Sequence, residues 1–249
     1  QVVSMKFSLP KGMKDIEPEE MAKREYVYAK IKEILLRYGF RLVEPSALEN
    51  LETLTAKSGP ALEKEIYAFE DKSKRKIGLR FDLTVGMARM VASTEWAKPI
   101  RLACISSMWR YDNPQYARYR SFWQWDVEIY GCAGAEADAE IIAVICDILG
   151  AFGLDFEIRI SNRKLIEGFL LGLGADRKSL PDILRVIDKI AKVSEKEAEK
   201  EFVGYGLKKE QIKKVMQFAG LASLKKAKSV LPKNELAQQG LEELENLFS

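Results

Sequence analysis

The chain has 249 residues, 47% apolar and 31% charged, which is typical of one large globular domain or of one domain with an appendage. It contains no histidine, which excludes Ser-His-Asp and Cys-His catalytic devices and most zinc sites. The three cysteines form no CxxC pair, the net charge of +3 allows a nucleic-acid partner without arguing for one, and no apolar run has membrane-spanning length.

The first four residues look unlike a natural start, so Met5 is interpreted as the beginning of the native chain. No signal peptide is recognisable, and the expected location is cytoplasmic. Apolar residues recur at steps of three and four from Glu19 to Tyr38, which predicts an amphipathic helix ended by Gly39. A short strand over Phe40–Pro45 follows, and its free edge would suit pairing with a second copy, although an ordinary helix–strand connection fits equally well.

Residues 46–65 are mixed and partly helical by pattern. Two apolar runs, Ile66–Glu70 and Ile77–Leu83, flank a polar basic tract and predict a β-hairpin. A helix over Val85–Ser93 is expected next. Asp82 and Thr84 share parity at the end of the second strand, where ligand groups often lie, but Asp and Thr also cap helices, and capping is the more common role.

Arg101–Tyr111 and the residues after Arg120 predict a pair of strands joined by a turn. The second strand alternates strictly, so that one face is apolar. Its other face carries one aromatic ring, an amide and two carboxylates close to the arginines of the turn, at Phe122, Gln124, Asp126, Glu128, Arg110, Arg118 and Arg120. This mixture suits a polar pocket that holds an anionic group and a cationic group together; a solvated strand with surface ion pairs is the simpler alternative.

Residues Ala133–Phe152 read as a helix and Leu154–Ile160 as a further half-buried antiparallel strand. Hairpins and alternating strands with helices between them predict an α+β domain on an antiparallel sheet. Neither a GxGxxG nor a GxxxxGK[ST] sequence is present, which argues against a Rossmann dinucleotide site and a P-loop.

After Asn162 the pattern predicts a separate all-α module. Its helices are expected at Lys164–Gly174, Leu180–Val193, Lys196–Val203, Lys208–Gly220, Leu224–Val230 and Glu235–Leu247, with a capping box that starts at Ser194. Its lysines could face a phosphate backbone, although a solvated helix surface is the simpler interpretation.

Several motifs together resemble one family, the histidyl-tRNA synthetases, which are class II aminoacyl-tRNA synthetases, in their archaeal and eukaryotic form. They are KGMKDIEP at Lys11, YGFRLVEP at Tyr38, which is similar to class II motif 1, LRFDLT at Leu79, and RYDNPQYARYRSFWQWDVEIYG at Arg110, which is similar to motif 2. The segments at Asn162 and Val186 resemble the helical insertion of this family.

The resemblance implies activation of histidine with ATP and Mg²⁺, transfer of the histidyl group to tRNA, and a homodimer formed through motif 1. By match to motif 2, Arg110 and Gln124 would be catalytic. ATP would be bound by Arg110, Asp112, Arg118 and Phe122, with Phe122 stacked on the adenine. Histidine would be bound by Asp82, Thr84, Gln124 and Glu128, with Glu128 at the imidazole ring. Asp126 stands where many bacterial members have glycine.

The resemblance also predicts a partial catalytic core over residues 5–163 and an insertion module over 164–249. Motif 3, other catalytic segments and the anticodon-binding domain of the family find no match, so the chain is interpreted as an N-terminal part with little activity alone. The alternatives are a paralogue that does not aminoacylate, such as the regulatory subunit of ATP phosphoribosyltransferase, a histidine- or tRNA-sensing domain, or a dimerisation core. The arginines of motif 2 disfavour the regulatory subunit.

Overall fold

A computed structural model describes residues 7–56, 60–190, 193–221 and 223–249. The chain divides between Phe156 and Glu157 into two compact units. The predicted start at Met5 and the predicted helical residues 191 and 192 lie outside the described residues. Among the described residues, no helix combines the length and the apolar character that a membrane span requires.

The first unit is an α+β fold, as predicted. Its helices are α1 (Pro18–Arg37), α2 (Leu51–Thr55), α3 (Pro60–Glu63), α4 (Leu83–Ala92) and α5 (Ala135–Ala151). Its strands are β1 (Arg41–Leu42), β2 (Leu48–Asn50), β3 (Ala68–Glu70), β4 (Lys76–Leu79), β5 (Ile100–Trp109) and β6 (Ser121–Tyr130).

The main sheet of the first unit has the strand order β1-β5-β6, and a smaller sheet has the order β2-β4-β3. Strands β5 and β6 are antiparallel and pair without interruption from Ile100 opposite Tyr130 to Trp109 opposite Ser121. Strand β1 is much shorter than predicted and runs parallel to β5. The predicted hairpin is confirmed, because β3 pairs antiparallel with β4.

Helix α1 begins at Pro18, a residue suited to the first helical position because its missing N–H has no partner there in any case. It ends before Gly39, whose φ of +75° lies in the left-handed region that glycine adopts without strain. Ile31, Ile34 and Leu35 are buried and form one core cluster with residues of α5 and with the odd-numbered face of β6. One face of the main sheet is therefore covered by α1 and α5.

The predicted strand over Leu154–Ile160 is wrong, because these residues follow α5 without forming a strand. Leu154 and Phe156 are exposed. Alternation of apolar and polar residues describes the two faces that a strand would have, but a strand also needs hydrogen bonds from a neighbour, and no described residue supplies them.

The second unit is all-α, as predicted. Its helices are α6 (Arg163–Gly172), α7 (Leu180–Lys189), α8 (Glu195–Gly204), α9 (Lys209–Ala219), α10 (Leu224–Val230) and α11 (Glu235–Leu247), with a 3-10 turn at Arg177–Ser179. The predicted capping box is confirmed, since the Ser194 side chain accepts from the Glu197 N–H while the Glu197 carboxylate accepts from the Ser194 N–H. The rings of Phe169 and Phe218 stack with centroids 4.0 Å apart.

Helices α6 and α11 approach each other through two glycines. A Cβ atom added to Gly168 would lie 2.4 Å from the backbone nitrogen of Ala237, and one added to Gly240 would lie 2.3 Å from that of Leu165. Backbone atoms cannot move aside as a flexible side chain can, so both positions require glycine for the helices to pack at this distance.

We expect Gly168→Ala to lower the free energy of unfolding of the second unit by about 2–3 kcal/mol, because the methyl group forces the two helices apart. Gly204→Ala is the matched control: it lies at the end of α8 with nothing within 4 Å of the added Cβ. Its effect should stay within about 0.5 kcal/mol. Urea unfolding followed by circular dichroism measures both, and equal effects would contradict the close helix packing.

Candidate active site

The even-numbered face of β6 lies opposite the face covered by α1 and α5. Trp125, Val127 and Ile129 pack into the core beneath the sheet. Phe122 and Tyr130, at the two ends of the even-numbered face, pack on a second cluster that contains buried residues of α4 and β5. The side chains at positions 124, 126 and 128 lie between these two rings, so the predicted separation into an apolar and a polar face is confirmed.

The start of α4 brings Asp82 and Thr84 to this face. The Thr84 hydroxyl donates to Oε1 of Glu128 at 2.6 Å. Asp82 is the N-cap of α4, and its Oδ1 accepts from the Thr84 N–H at 2.6 Å. The capping role that the sequence favoured is therefore confirmed for Asp82. The placement of both residues at the end of a strand is wrong, because β4 ends at Leu79 and Thr84 lies in the first turn of α4.

Arg110 follows β5 and reaches the same face from the side of the turn. Its Nε donates to the carbonyl oxygen of Phe81 at 2.9 Å, and its Nη2 lies 3.4 Å from Oε1 of Gln124. The guanidinium carbon lies 5.2 Å from the centroid of the Phe122 ring. Gln124 in turn donates from Nε2 to both oxygens of Asp126, at 2.8 and 3.0 Å. One guanidinium, one amide and one carboxylate are therefore joined in a row.

The carboxylates of this face are difficult to ionise. Burial raises the pKa of Glu128 above its ordinary value, Asp126 and Asp82 raise it further by repulsion, and the Thr84 hydrogen bond opposes the rise. Burial likewise raises the pKa of Asp126, against the hydrogen bond from Gln124. Like charges in a half-buried site disfavour the ionised form. The face consequently favours a ligand that brings positive charge or hydrogen-bond donors.

The turn between the strands holds the remaining predicted residues. Arg118 and Asp112 form an ion pair there, with the Arg118 side chain 59% exposed. Arg120 donates from Nε to the Asp112 carbonyl oxygen at 2.8 Å and stacks on the ring of Tyr111 at 3.9 Å. The structure thus gathers Asp82, Thr84, Arg110, Phe122, Gln124 and Glu128 on one face and places Asp112 and Arg118 in the adjoining turn.

The N-terminal segment braces this turn. The backbone N–H of Arg120 donates to the carbonyl oxygen of Gly12 at 2.8 Å. Gly12 has a φ of +82°, and an added Cβ would lie within 3 Å of Arg120 and Pro114. The glycine of the KGMK motif therefore allows a close approach of two segments that lie far apart in the sequence.

Arg80 was not predicted as part of the site. It is 3% exposed and donates to the carbonyl oxygen of Ser107 at 2.9 Å, to Oε1 of Glu44 at 2.7 Å, and also to Ser106 and to the carbonyl oxygen of Pro45. These bonds tie the segment after β1 to β5, as the several donors of a guanidinium allow. A lone arginine in an apolar strand was the available signal, since a buried cation needs partners.

Tyr130 was also missed. Among the described residues, its hydroxyl is a buried polar group without a hydrogen-bond partner. Burial raises its pKa, and Glu128, Asp126 and Asp82 add to the rise. The sequence could have indicated this residue, because position 130 has the same parity as 126 and 128 and therefore lies on the same face of β6 as the carboxylates.

The described residues contain no group of three or more His, Cys, Asp or Glu side chains arranged to hold a metal ion. The carboxylates of the even-numbered face are engaged with Thr84 and Gln124 instead. This part of the chain therefore does not build a cage of its own for a cation such as Mg²⁺, which usually binds through one or two carboxylates and substrate phosphates.

Comparison with known proteins identifies close similarity over nearly the whole chain. Residues 12–249 match the model of the family described as histidyl-tRNA synthetase. The histidine–tRNA ligase of Pyrococcus abyssi is 38% identical over 245 residues, which are 96% of this chain and 56% of that protein. The histidine–tRNA ligase of Haloarcula marismortui is 42% identical over 192 residues, 75% of this chain and 44% of that protein. The chain spans about half the length of the curated relatives it matches.

Solved structures agree with these sequence matches. The histidyl-tRNA synthetase from Nostoc sp. PCC 7120 has a TM-score of 0.83 at 27% identity, covering 98% of this chain and 57% of that chain. A protein from Bacillus halodurans C described as an ATP phosphoribosyltransferase regulatory subunit/histidyl-tRNA synthetase has a TM-score of 0.80 at 26% identity, covering 97% of this chain and 64% of that chain.

We expect Glu128→Gln to raise the free energy of unfolding at neutral pH by about 0.5–1 kcal/mol, because the amide removes a half-buried charge and its oxygen can still accept from Thr84. The raised pKa means that the gain vanishes as the pH falls below 4.5, the ordinary value, where the wild-type carboxyl is neutral as well. Urea unfolding of wild type and Glu128→Gln, at neutral pH and at a pH below 4.5, measures the difference in the free energy of unfolding.

Glu140→Gln is the control of opposite sign. The hydrogen bond from Arg101 lowers the pKa of Glu140, so its charge contributes stability above 4.5 that is lost as the pH falls through the lowered value. The amide should therefore destabilise the chain at neutral pH. A loss of stability in both variants would contradict the electrostatic account of Glu128.

Proposed function

The chain belongs to the histidyl-tRNA synthetase family, and we propose that it is part of a histidine–tRNA ligase, which activates histidine with ATP and transfers the histidyl group to tRNA. The single observation that carries the proposal is the row from Arg110 through Gln124 to Asp126, beside the Thr84–Glu128 pair. It provides one fixed cation for a phosphate and several acceptors for an amino acid on a single face. A cytoplasmic location belongs to the same proposal and rests on the family.

The activation step brings two anions together, because the histidine carboxylate attacks the α-phosphorus of ATP while pyrophosphate leaves. We assign the α-phosphate to Arg110, whose guanidinium is held by the Phe81 carbonyl oxygen and therefore needs little reorganisation. Arg118 lies in the more open turn and suits the γ-phosphate, with Asp112 as its partner before ATP binds. Phe122 is assigned to the adenine, which would stack beside the Arg110 guanidinium. Mg²⁺ would arrive with the triphosphate.

The carboxylates of the same face would recognise histidine through hydrogen bonds. Thr84 occupies Oε1 of Glu128, which leaves Oε2 to accept the ring N–H of the substrate. Asp82 uses Oδ1 for the helix cap, which leaves Oδ2 for the ammonium group, beside the amide of Gln124. An apolar amino acid would leave Oε2 of the half-buried Glu128 carboxylate without a donor, and this cost is the basis of selectivity.

The regulatory subunit of ATP phosphoribosyltransferase is the second candidate function, because a structure described partly by that name has nearly the same TM-score. The curated relatives cited above favour the ligase, since both are named histidine–tRNA ligases. The arginines at 110 and 118 also favour it, because a subunit without activation chemistry has no need of two cations for a triphosphate.

Titration calorimetry of histidine and of ATP, each alone, tests the assignment of Glu128. We expect Glu128→Ala to weaken histidine binding about 10- to 100-fold, the range for loss of a hydrogen bond to a charged group, and to leave ATP binding unchanged. Glu157→Ala is the control, since this side chain is 69% exposed in the second unit and its loss should affect neither ligand. Equal histidine affinity of wild type and Glu128→Ala would refute the assignment.

We also propose a homodimer through α1 and β1. Strand β1 is an edge of the main sheet, and α1 exposes large apolar side chains at Tyr26, Val27 and Leu36. Light scattering should therefore report a dimer for the wild type and a shift toward monomer for Leu36→Glu. Val203→Glu, at an equally exposed apolar residue of the second unit, should stay dimeric. A wild-type monomer at the highest attainable concentration would contradict the interface.

A further inference from the structure

The side chain of Asp126 is connected to Arg110 through the side chain of Gln124. Its two oxygens accept from Nε2 of Gln124, and burial leaves the carboxylate about as enclosed as its neighbour Glu128. Cys104 lies directly opposite Asp126 on β5, but its buried thiol is only a weak donor. Among the described side chains, the hydrogen bonds to the Asp126 carboxylate come from Gln124. Asp126 is not needed to complete the strand pairing, which uses backbone atoms alone.

The amide of Gln124 lies between a group that only accepts and a group that only donates. An ionised carboxylate offers no proton, and a guanidinium offers no acceptor. With Nε2 toward Asp126, the oxygen Oε1 lies 3.4 Å from Nη2 of Arg110. The reverse orientation would set the oxygen against the carboxylate and the NH₂ group against the guanidinium, so that both contacts become repulsive.

We propose that Asp126 is a positioning residue, whose carboxylate holds the Gln124 amide in the one orientation that turns its carbonyl oxygen toward Arg110 and the ammonium site. Arg110 then has two fixed acceptors, the Phe81 carbonyl oxygen on Nε and the Gln124 oxygen on Nη2. The guanidinium is thereby restrained in two directions before any ligand arrives, which lowers the cost of binding an anion. The consequence for histidine rests on the function proposed above.

The orientation of the amide can be measured without any ligand. In ¹⁵N spectra, the side-chain NH₂ of Gln124 and the Nη2 group of Arg110 give separate signals, which Gln124→Met and Arg110→Lys identify by their loss. We expect Asp126→Ala to shift the Gln124 signal and to speed hydrogen exchange at the Arg110 Nη2 group, which faces Oε1 of Gln124, about tenfold, the factor for one net hydrogen bond. Asp126→Asn should retain the wild-type pattern, because its amide oxygen still accepts from Gln124.

Three outcomes would overturn the proposal. Both signals could be unchanged in Asp126→Ala, both could change equally in Asp126→Asn, or the exposed-site control Asp155→Ala could produce the same changes. Should Asp126→Ala fail to fold, Asp126→Asn decides alone, since loss of the wild-type pattern in a folded Asn variant refutes the orienting role.

Histidine titration then separates this proposal from the proposed function. We expect about tenfold weaker histidine binding in Asp126→Ala and near wild-type binding in Asp126→Asn. Absence of histidine binding in the wild type would refute the proposed function, and the amide and guanidinium signals would still decide the role of Asp126. Wild-type affinity in Asp126→Ala, together with loss in Glu128→Ala, would refute the role of Asp126 and leave the function standing.

Discussion

The uninterrupted pairing of β5 with β6 is the constraint on which the candidate site depends. Side chains alternate between the two faces of a strand, so a shift of one residue would turn every polar group of β6 into the core. The registered pairs from Ile100–Tyr130 to Trp109–Ser121 prevent this shift. Trp125, Val127 and Ile129 reinforce the register, since they are the face that α1 and α5 cover. The position of each polar side chain on the other face is set by this apolar packing.

The half-buried carboxylates of the polar face repel one another when they are ionised, and a ligand that brings positive charge or hydrogen-bond donors would offset this repulsion. Asp82, Asp126 and Glu128 lie near one another, and burial together with mutual repulsion raises the pKa values of the last two. Arg110 is the cation joined to this group by way of Gln124. Stabilising such a site internally, by replacing carboxylates with neutral groups, would remove the features that attract an ammonium or an imidazole N–H. This is the usual conflict between stability and binding.

Glycines and a buried arginine hold the surroundings of the site in place. Gly12 lets the N-terminal segment approach the turn after β5, and Arg80 ties the residues after β1 to the same strand. Both contacts join segments far apart in the sequence. In the second unit, Gly168 and Gly240 act on the packing of α6 against α11 in a comparable way. At the glycines, the missing side chain permits a close approach of two segments that a larger residue would prevent. At Arg80, the hydrogen-bond partners permit the burial of a cation.

The sequence by itself determined the local elements, the two faces of β6 and the family, because periodicity, caps and long motifs are local properties. Most helices of the second unit were predicted close to their observed bounds for this reason. The β3–β4 hairpin was also predicted, although β4 ends at Leu79 and not at the predicted Leu83. Only the tertiary structure decided that Leu154–Ile160 has no strand partner among the described residues, that the Thr84 hydroxyl reaches Glu128, and that Arg80 is buried. These features depend on which groups meet across long separations in the chain, and a donor without a known acceptor cannot be assigned from sequence.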